Sequence, residues 1–192
     1  MARMLREGRP VHVMYLSKGV SSRTGHGVLD AMGETQDKLR LSVSSAHALE
    51  ALAPVGGLRP TSTRHDLPDN AFDSMPLLGI IKLIEQEIRE LKPGLVITHS
   101  PKDLNIDHQL TCKAVMTATR PLESCPVREV WGCNILSSTE WGMEPFHSTL
   151  FVDITDTFEI KLEALRCYEA ELRDFPHPRS IEGAQAQASL WG

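Results

Sequence analysis

Leu77, Ile80, Ile81, Ile84, Ile88 and Leu91 recur at the spacing that places them along one face of an α-helix. Pro76 suits the first turn of that helix, and Lys92, Pro93 and Gly94 end it abruptly. Directly after this stop, Leu95 to Thr98 form a short apolar run of the kind expected for a strand covered on both faces. A helix that delivers the chain straight into a doubly buried strand restricts the fold more than any other feature, because it asks for helices packed on a parallel sheet.

The rest of the chain repeats the alternation. Met1 to Glu7 reads as the tail of a helix that stops at Gly8, with Pro10 just beyond. Val11 to Leu16 reads as a buried strand opening into the polar loop SKGVSSRTGHG. A helix is expected from Glu34 to about Leu52, then a connector, VGGLRPTSTR, and a short strand leading to His65, Asp66, Leu67 and Pro68. Further on come a helix near Asp107 to Thr119 and strands near Val130 to Leu136 and Thr149 to Ile154. A long helix from about Asp156 to Leu172 follows, its stripe made by Phe158, Leu162, Leu165, Tyr168 and Leu172. The expected class is α/β with a mostly parallel sheet covered on both sides.

Composition narrows the function. The 192 residues, 41% hydrophobic and 23% charged, suit one globular domain. A formal net charge of −5 argues against a nucleic-acid partner and favours a small polar substrate. Cys112, Cys125, Cys133 and Cys167 form no CxxC pair, which points to a reducing compartment. No run approaches the roughly 18 to 20 apolar residues of a membrane span, and MARMLREGRP lacks the apolar core of a signal peptide. The expected location is cytoplasmic.

In open α/β sheets ligands bind beyond the carboxyl ends of the strands, so the residues after Leu95 to Thr98 are where chemistry is to be sought. There the sequence reads HSPKDLNIDH, with His99, Asp103, Asp107 and His108 inside ten residues. A neutral imidazole is the commonest protein ligand for zinc, and a neighbouring carboxylate fixes its tautomer. Asp107, beside His108, could be that carboxylate, although it reads as readily as the N-cap of the following helix. His99 taken alone reads first as a strand-end histidine with its hydrogen bonds satisfied.

The run ITHSPKDLNIDHQLTCKAVMTATRP resembles the LmbE-like deacetylases, relatives of N-acetylglucosaminyl-phosphatidylinositol de-N-acetylase. So do YLSKGVSSR, DLPDNAFDSMPLL, SSTEWG and ELRDFPHPRS, in the same order, so that the resemblance spans nearly the whole chain. It implies a Rossmann-like three-layer sandwich with a mostly parallel sheet, and a zinc ion held by three protein ligands and a water. The reaction implied is hydrolysis of the N-acetyl group of an amino sugar. In such enzymes one zinc ligand is the histidine closing the late DH pair, here His108. The other two ligands, a His and an Asp, and the general base belong to an AHPDD-type motif after the first strand, which this sequence does not contain.

The resemblance also implies that MARMLREGRPVHVMYL begins inside the helix that follows that motif, and that relatives continue beyond SLWG. The expectation is a single LmbE-like domain over residues 1–192, cut short at both ends and lacking its first strand, marginally folded and poor in zinc when alone. Many relatives carry HPDH where this chain has Asn105, Ile106, Asp107 and His108. An Asn105 amide can donate to the oxyanion of a tetrahedral intermediate but cannot hand on a proton, which would leave His99 as the proton donor.

Further candidates are substrate contacts. Arg23 could hold a sugar hydroxyl or phosphate, though a solvated loop arginine is the simpler reading. Asp69 could accept from sugar hydroxyls, while Pro-Asp-Asn is also ordinary turn chemistry. His177 sits between two prolines in FPHPRS, and Trp141 could stack on a sugar ring or simply pack. The rival class is a non-catalytic Rossmann-like module that binds a sugar or a partner, and a third is a fragment without function of its own. No GxGxxG follows either early strand, which leaves dinucleotide binding without support. Nothing fixes the oligomeric state, and open strand edges or the Ile-rich helix face could support a homo-oligomer.

Overall fold

The computed structural model describes residues 1–17, 42–53 and 57–191, which group into two compact units. The first comprises Met1–Asp69 and Thr149–Gly192, and the second Asn70–Ser148. Arg23 and the first part of the helix expected from Glu34 lie outside the described residues.

In the first unit, helix α1 (Ala2–Arg6) ends as its sequence requires. Gly8 takes φ 75°, and the amides of Gly8 and Arg9 return to the carbonyls of Leu5 and Met4 at 3.0 and 2.8 Å. Strand β1 (His12–Ser17) pairs in parallel with β2 (Thr61–Leu67), His12 opposite Thr61, with a register shift between Tyr15 and Ser17. Strand β2 takes up the Thr61 to Arg64 segment expected as connector and runs on through His65 and Asp66 to Leu67. Pairing with β1 overrides its polar composition: the His12 ring is held between the hydroxyls of Thr61 and Thr63, at 2.8 and 3.1 Å. Helix α2 (residues 42–51) lies between the two strands in sequence, as a parallel pair demands. The Arg64 guanidinium lies over the Tyr15 ring and donates to Ser45 Oγ on that helix at 2.6 Å. Ala2, Leu5, Ala48, Leu49, Leu52 and Ala164 form the buried core here.

The C-terminal part departs from expectation. No strand forms over residues 149–154, where Leu150, Phe151 and Val152 are exposed. Asp153 instead accepts from the amide and hydroxyl of Thr155 at 2.9 and 2.7 Å, which turns the chain into a 3-10 helix at Thr155–Thr157. The long helix is likewise shorter than expected: α5 covers Phe158–Arg166, and Glu169–Glu171 follow as a separate 3-10 turn. A helix not foreseen from the sequence, α6 (Ile181–Trp191), packs against α5.

The second unit holds the expected helix-to-strand pattern over residues 77–99, but the strand is not covered on both faces as expected, since Ile97 is exposed. Helix α3 spans Leu77–Leu91 and buries Ile80, Ile81, Ile84 and Ile88. Its stop is made by Lys92 rather than a glycine, in the left-handed conformation with φ 49°, donating its amide to Ile88 O at 2.9 Å. Strand β3 (Leu95–His99) pairs in parallel with β4 (Glu129–Cys133), Leu95 opposite Glu129 and His99 opposite Cys133. Helix α4 (Ile106–Ala118) crosses between them and packs against both α3 and β3. Strand β4 stops three residues short of the expected Leu136, because the Ile135 amide leaves the ladder to donate to Thr139 Oγ1 at 2.8 Å.

Among the described residues all strand pairing is parallel, as the alternation of helices and strands requires. The expected single sheet is hydrogen-bonded as two two-stranded sheets, since among the described residues no further strand pairs with β1 or β3.

Candidate active site

The carboxyl end of β3 delivers His99 into a tight turn. The Lys102 amide donates to Ser100 Oγ at 3.1 Å and the Asp103 amide to Ser100 O at 3.3 Å. The turn ends at Asn105, whose side-chain oxygen accepts from the amides of Asp107 and His108 at 2.8 and 3.3 Å and so caps α4. Capping therefore falls to Asn105, and Asp107 is freed for another task.

That task is a clamp. Asp107 Oδ2 accepts from the Asn70 amide at 2.6 Å and Oδ1 from the Phe72 amide at 3.0 Å. It fixes a turn in which Asn70 sits in the left-handed region, with φ 56°. Asn105 Nδ2 donates to Asn70 Oδ1 at 3.1 Å, which leaves its other amide hydrogen as the part an oxyanion could use.

The carboxylate facing His108 is Asp103. Expected at Asp107, that position goes to Asp103 because Asp107 is turned toward the backbone of Asn70 and Phe72. Asp103 is 1% exposed, and its Oδ1 lies 3.0 Å from His108 Nδ1. It also accepts from Ser138 Oγ, from Thr139 Oγ1 at 2.8 Å and from the Asn105 amide at 2.9 Å. Burial pushes its pKa up, but the Ser138, Asn105 and Thr139 hydrogen bonds, with His108 beside it, outweigh burial and hold it below the usual carboxylate range. An ionised carboxylate only accepts, so His108 Nδ1 is the donor at this contact, and in a neutral ring that places the lone pair on Nε2.

His99 stacks on His108, ring centroids 4.1 Å apart and planes 13° from parallel. Burial first, and the neighbouring His108 second, lower its pKa to about 4 against the opposing pull of Asp103. It is a neutral ring at pH 7, a poor store for the proton that a departing amine would need. Its Nδ1 is buried with no hydrogen-bond partner among the described residues, as is Thr98 Oγ1.

His108 Nε2, backed by a carboxylate on Nδ1, has the chemistry of a zinc ligand. Among the described residues, however, no group of three or more His, Cys, Asp or Glu side chains could hold a metal ion. They offer one candidate donor, His108, rather than a set.

The remaining expected contacts are placed separately. In the first unit, Asp69 Oδ1 accepts from Ser17 Oγ at 3.2 Å, and His177 Nδ1 accepts from the Arg179 amide at 3.0 Å. Trp141, in the second unit, is half exposed. Arg23 lies outside the described residues. Sequence reasoning assigned no role to Ser138 or Thr139, although both lie in the SSTEWG segment that carries part of the resemblance.

A sequence model of the PIG-L family, described as GlcNAc-PI de-N-acetylase, matches residues 1–119, more than half of the chain. The chain belongs to the PIG-L family. Its fold is that of LmbE-like deacetylases. It is similar to the conserved protein TT1542 from Thermus thermophilus, with TM-score 0.70 and 19% identity, over 100% of this chain and 79% of that one. It is also similar to N,N'-diacetylchitobiose deacetylase from Pyrococcus horikoshii, solved with an inhibitor, with TM-score 0.67 and 17% identity, over 100% of this chain and 70% of that one. No curated protein sequence matches it. Among the described residues of this PIG-L family member, no helix is long and apolar enough to cross a membrane.

Proposed function

We propose that this PIG-L family chain serves N-deacetylation of an amino sugar, hydrolysing an acetamido group to acetate and a free amine, with His108 as a zinc ligand. Family membership supports the reaction class. The observation that carries the residue assignment is the Asp103–His108 pair, 3.0 Å apart, which makes Nδ1 the donor and, in a neutral ring, leaves Nε2 unprotonated. A bound zinc ion would polarise the amide carbonyl and acidify water. The chain's own residues hold the ligand in place: Asp103 keeps the proton on Nδ1, the neutral His99 ring covers one face of His108, and Asn105 caps the helix that carries it.

Acetate release from N,N'-diacetylchitobiose and other N-acetylglucosamine derivatives, with and without added zinc, tests this reading. Zinc-dependent release that His108→Ala abolishes supports it. Release that survives His108→Ala intact overturns it. The absence of a three-ligand group among the described residues favours a second reading, a non-catalytic module that binds a sugar or a partner. Saccharide binding without any acetate release, with or without zinc, would establish that module and sink the enzyme reading for this chain.

A further inference from the structure

Thr139 is fully buried, and its hydroxyl is oriented from both sides. The Ile135 amide donates to Thr139 Oγ1 at 2.8 Å, which occupies the oxygen and directs the hydroxyl proton onward to Asp103 Oδ2, also at 2.8 Å. Ser138 Oγ donates to the other carboxylate oxygen, Oδ1, which the Asn105 amide also reaches at 2.9 Å. The two carboxylate oxygens are thus gripped by donors on β4's exit turn and on the β3–α4 turn, which together orient the plane of the carboxylate. His108 Nδ1 meets that fixed acceptor at 3.0 Å.

We propose that Thr139 and Ser138 are positioning residues that act through Asp103 to hold His108 in the Nδ1–H tautomer, so that Nε2 keeps its lone pair for a ligand. The inference rests on the reading of His108 as a metal ligand only for its purpose; the tautomer itself is a property of the apo chain. Both residues lie beyond the 119 residues that the family model matches, on a turn that shares no sequence with the DLNIDH run they serve. The simpler alternative is that two buried hydroxyls merely satisfy a buried carboxylate and stabilise the turn. Under that alternative their loss would lower stability and leave the imidazole as it is.

Long-range proton–nitrogen correlation spectra of the metal-free chain, at about pH 8 and so above the ordinary imidazole range, read the tautomer directly. His108→Gln assigns the signal by its disappearance. The wild-type chain is expected to show a protonated Nδ1 and an unprotonated Nε2. Thr139→Val with Ser138→Ala, which keep volume or remove one small group, should shift the two nitrogen signals toward each other as the tautomers mix. Thr139→Ser, which restores the hydroxyl without the methyl, should return them to wild-type positions. A wild-type signal from the Nε2–H tautomer, or an unshifted one in the folded double variant, overturns the proposal. If the double variant fails to fold, Ser138→Ala alone carries the test: a partial shift supports the proposal and none overturns it. Acetate release plays no part in these readings, so the deacetylase reading stands or falls separately.

Discussion

His99 and His108 stack face to face, 4.1 Å between ring centroids, yet only His108 has a carboxylate on its Nδ1; the Nδ1 of His99 is buried with no partner among the described residues. The strand-end ring is therefore held by shape, and it forfeits a hydrogen bond to be there. Two substitutions separate these effects. His99→Ala removes the stacked ring and opens a cavity, with an expected loss of about 2 kcal/mol. His99→Phe keeps an aromatic face on His108 and removes the orphaned nitrogen, and is expected to raise stability by about 1 kcal/mol. Urea denaturation measures both, and equal destabilisation by the two variants would contradict the account.

Asp107 is a clamp on two backbone amides, and its removal should be felt as structure. Asp107→Ala leaves the amides of Asn70 and Phe72 without their acceptor, and Phe72 is only 3% exposed. An expected cost of about 3 kcal/mol follows from losing two charge-assisted bonds in a buried setting. The matched observation is faster hydrogen exchange at the Phe72 amide. A variant as stable as wild type would show that other groups hold this turn.

How much of this was legible in the sequence depends on whether the determinants are local. Helix α3 and strand β3 could be read because their apolar spacing and stop signals lie within the segments themselves. The Thr149 to Ile154 run looked like a strand on composition, but an Asx turn at Asp153 decided otherwise, and among the described residues no strand pairs with it. Thr61 to Arg64 went the other way, since pairing with β1 made a strand of polar residues. At the candidate site, the cluster of titratable groups in the decapeptide was visible, whereas which of two nearby aspartates faces His108 was not. Asp103 and Asp107 are equally plausible by spacing, and only partners more than thirty residues away in either direction, Ser138 and Thr139 for one, Asn70 and Phe72 for the other, distinguish them.

Tyr168 gives a pH-dependent prediction in the first unit. Burial chiefly, and then the neighbouring Tyr15, raise its pKa far above the ordinary 10.0 of a phenol. The folded state thus binds this proton more tightly than the unfolded chain does. The stabilisation is fully present below pH 10 and declines as pH rises above it, because the unfolded chain then loses a proton that the folded chain retains. Tyr168→Phe should flatten the fall in thermal midpoint above pH 10. With only Tyr15 and Tyr168 in the chain, ultraviolet titration can follow phenolate formation in the same samples. Full ionisation of both rings near pH 10 in the folded protein would refute it.

Gly142 tests whether the turn after β4 and the turn after β3 are locked together. A Cβ at this position would lie 2.2 Å from Lys102 O and 3.1 Å from Thr139 O, both backbone atoms that cannot swing aside. Lys102 precedes Asp103, and Thr139 donates to it, so a displacement there reaches both sides of the carboxylate. Gly142→Ala is expected to cost about 1–3 kcal/mol, the usual range for overpacking. It should also speed hydrogen exchange at the Asn105 and Ile135 amides, which donate to Asp103 and to Thr139 Oγ1. Gly79 is the control, since a Cβ there meets nothing within 4 Å and the residue lies inside helix α3. Gly79→Ala should instead stabilise by about 0.5–1 kcal/mol through helix propensity. If the two alanine variants changed stability alike, close packing between the two turns could not be what holds Asp103 against His108.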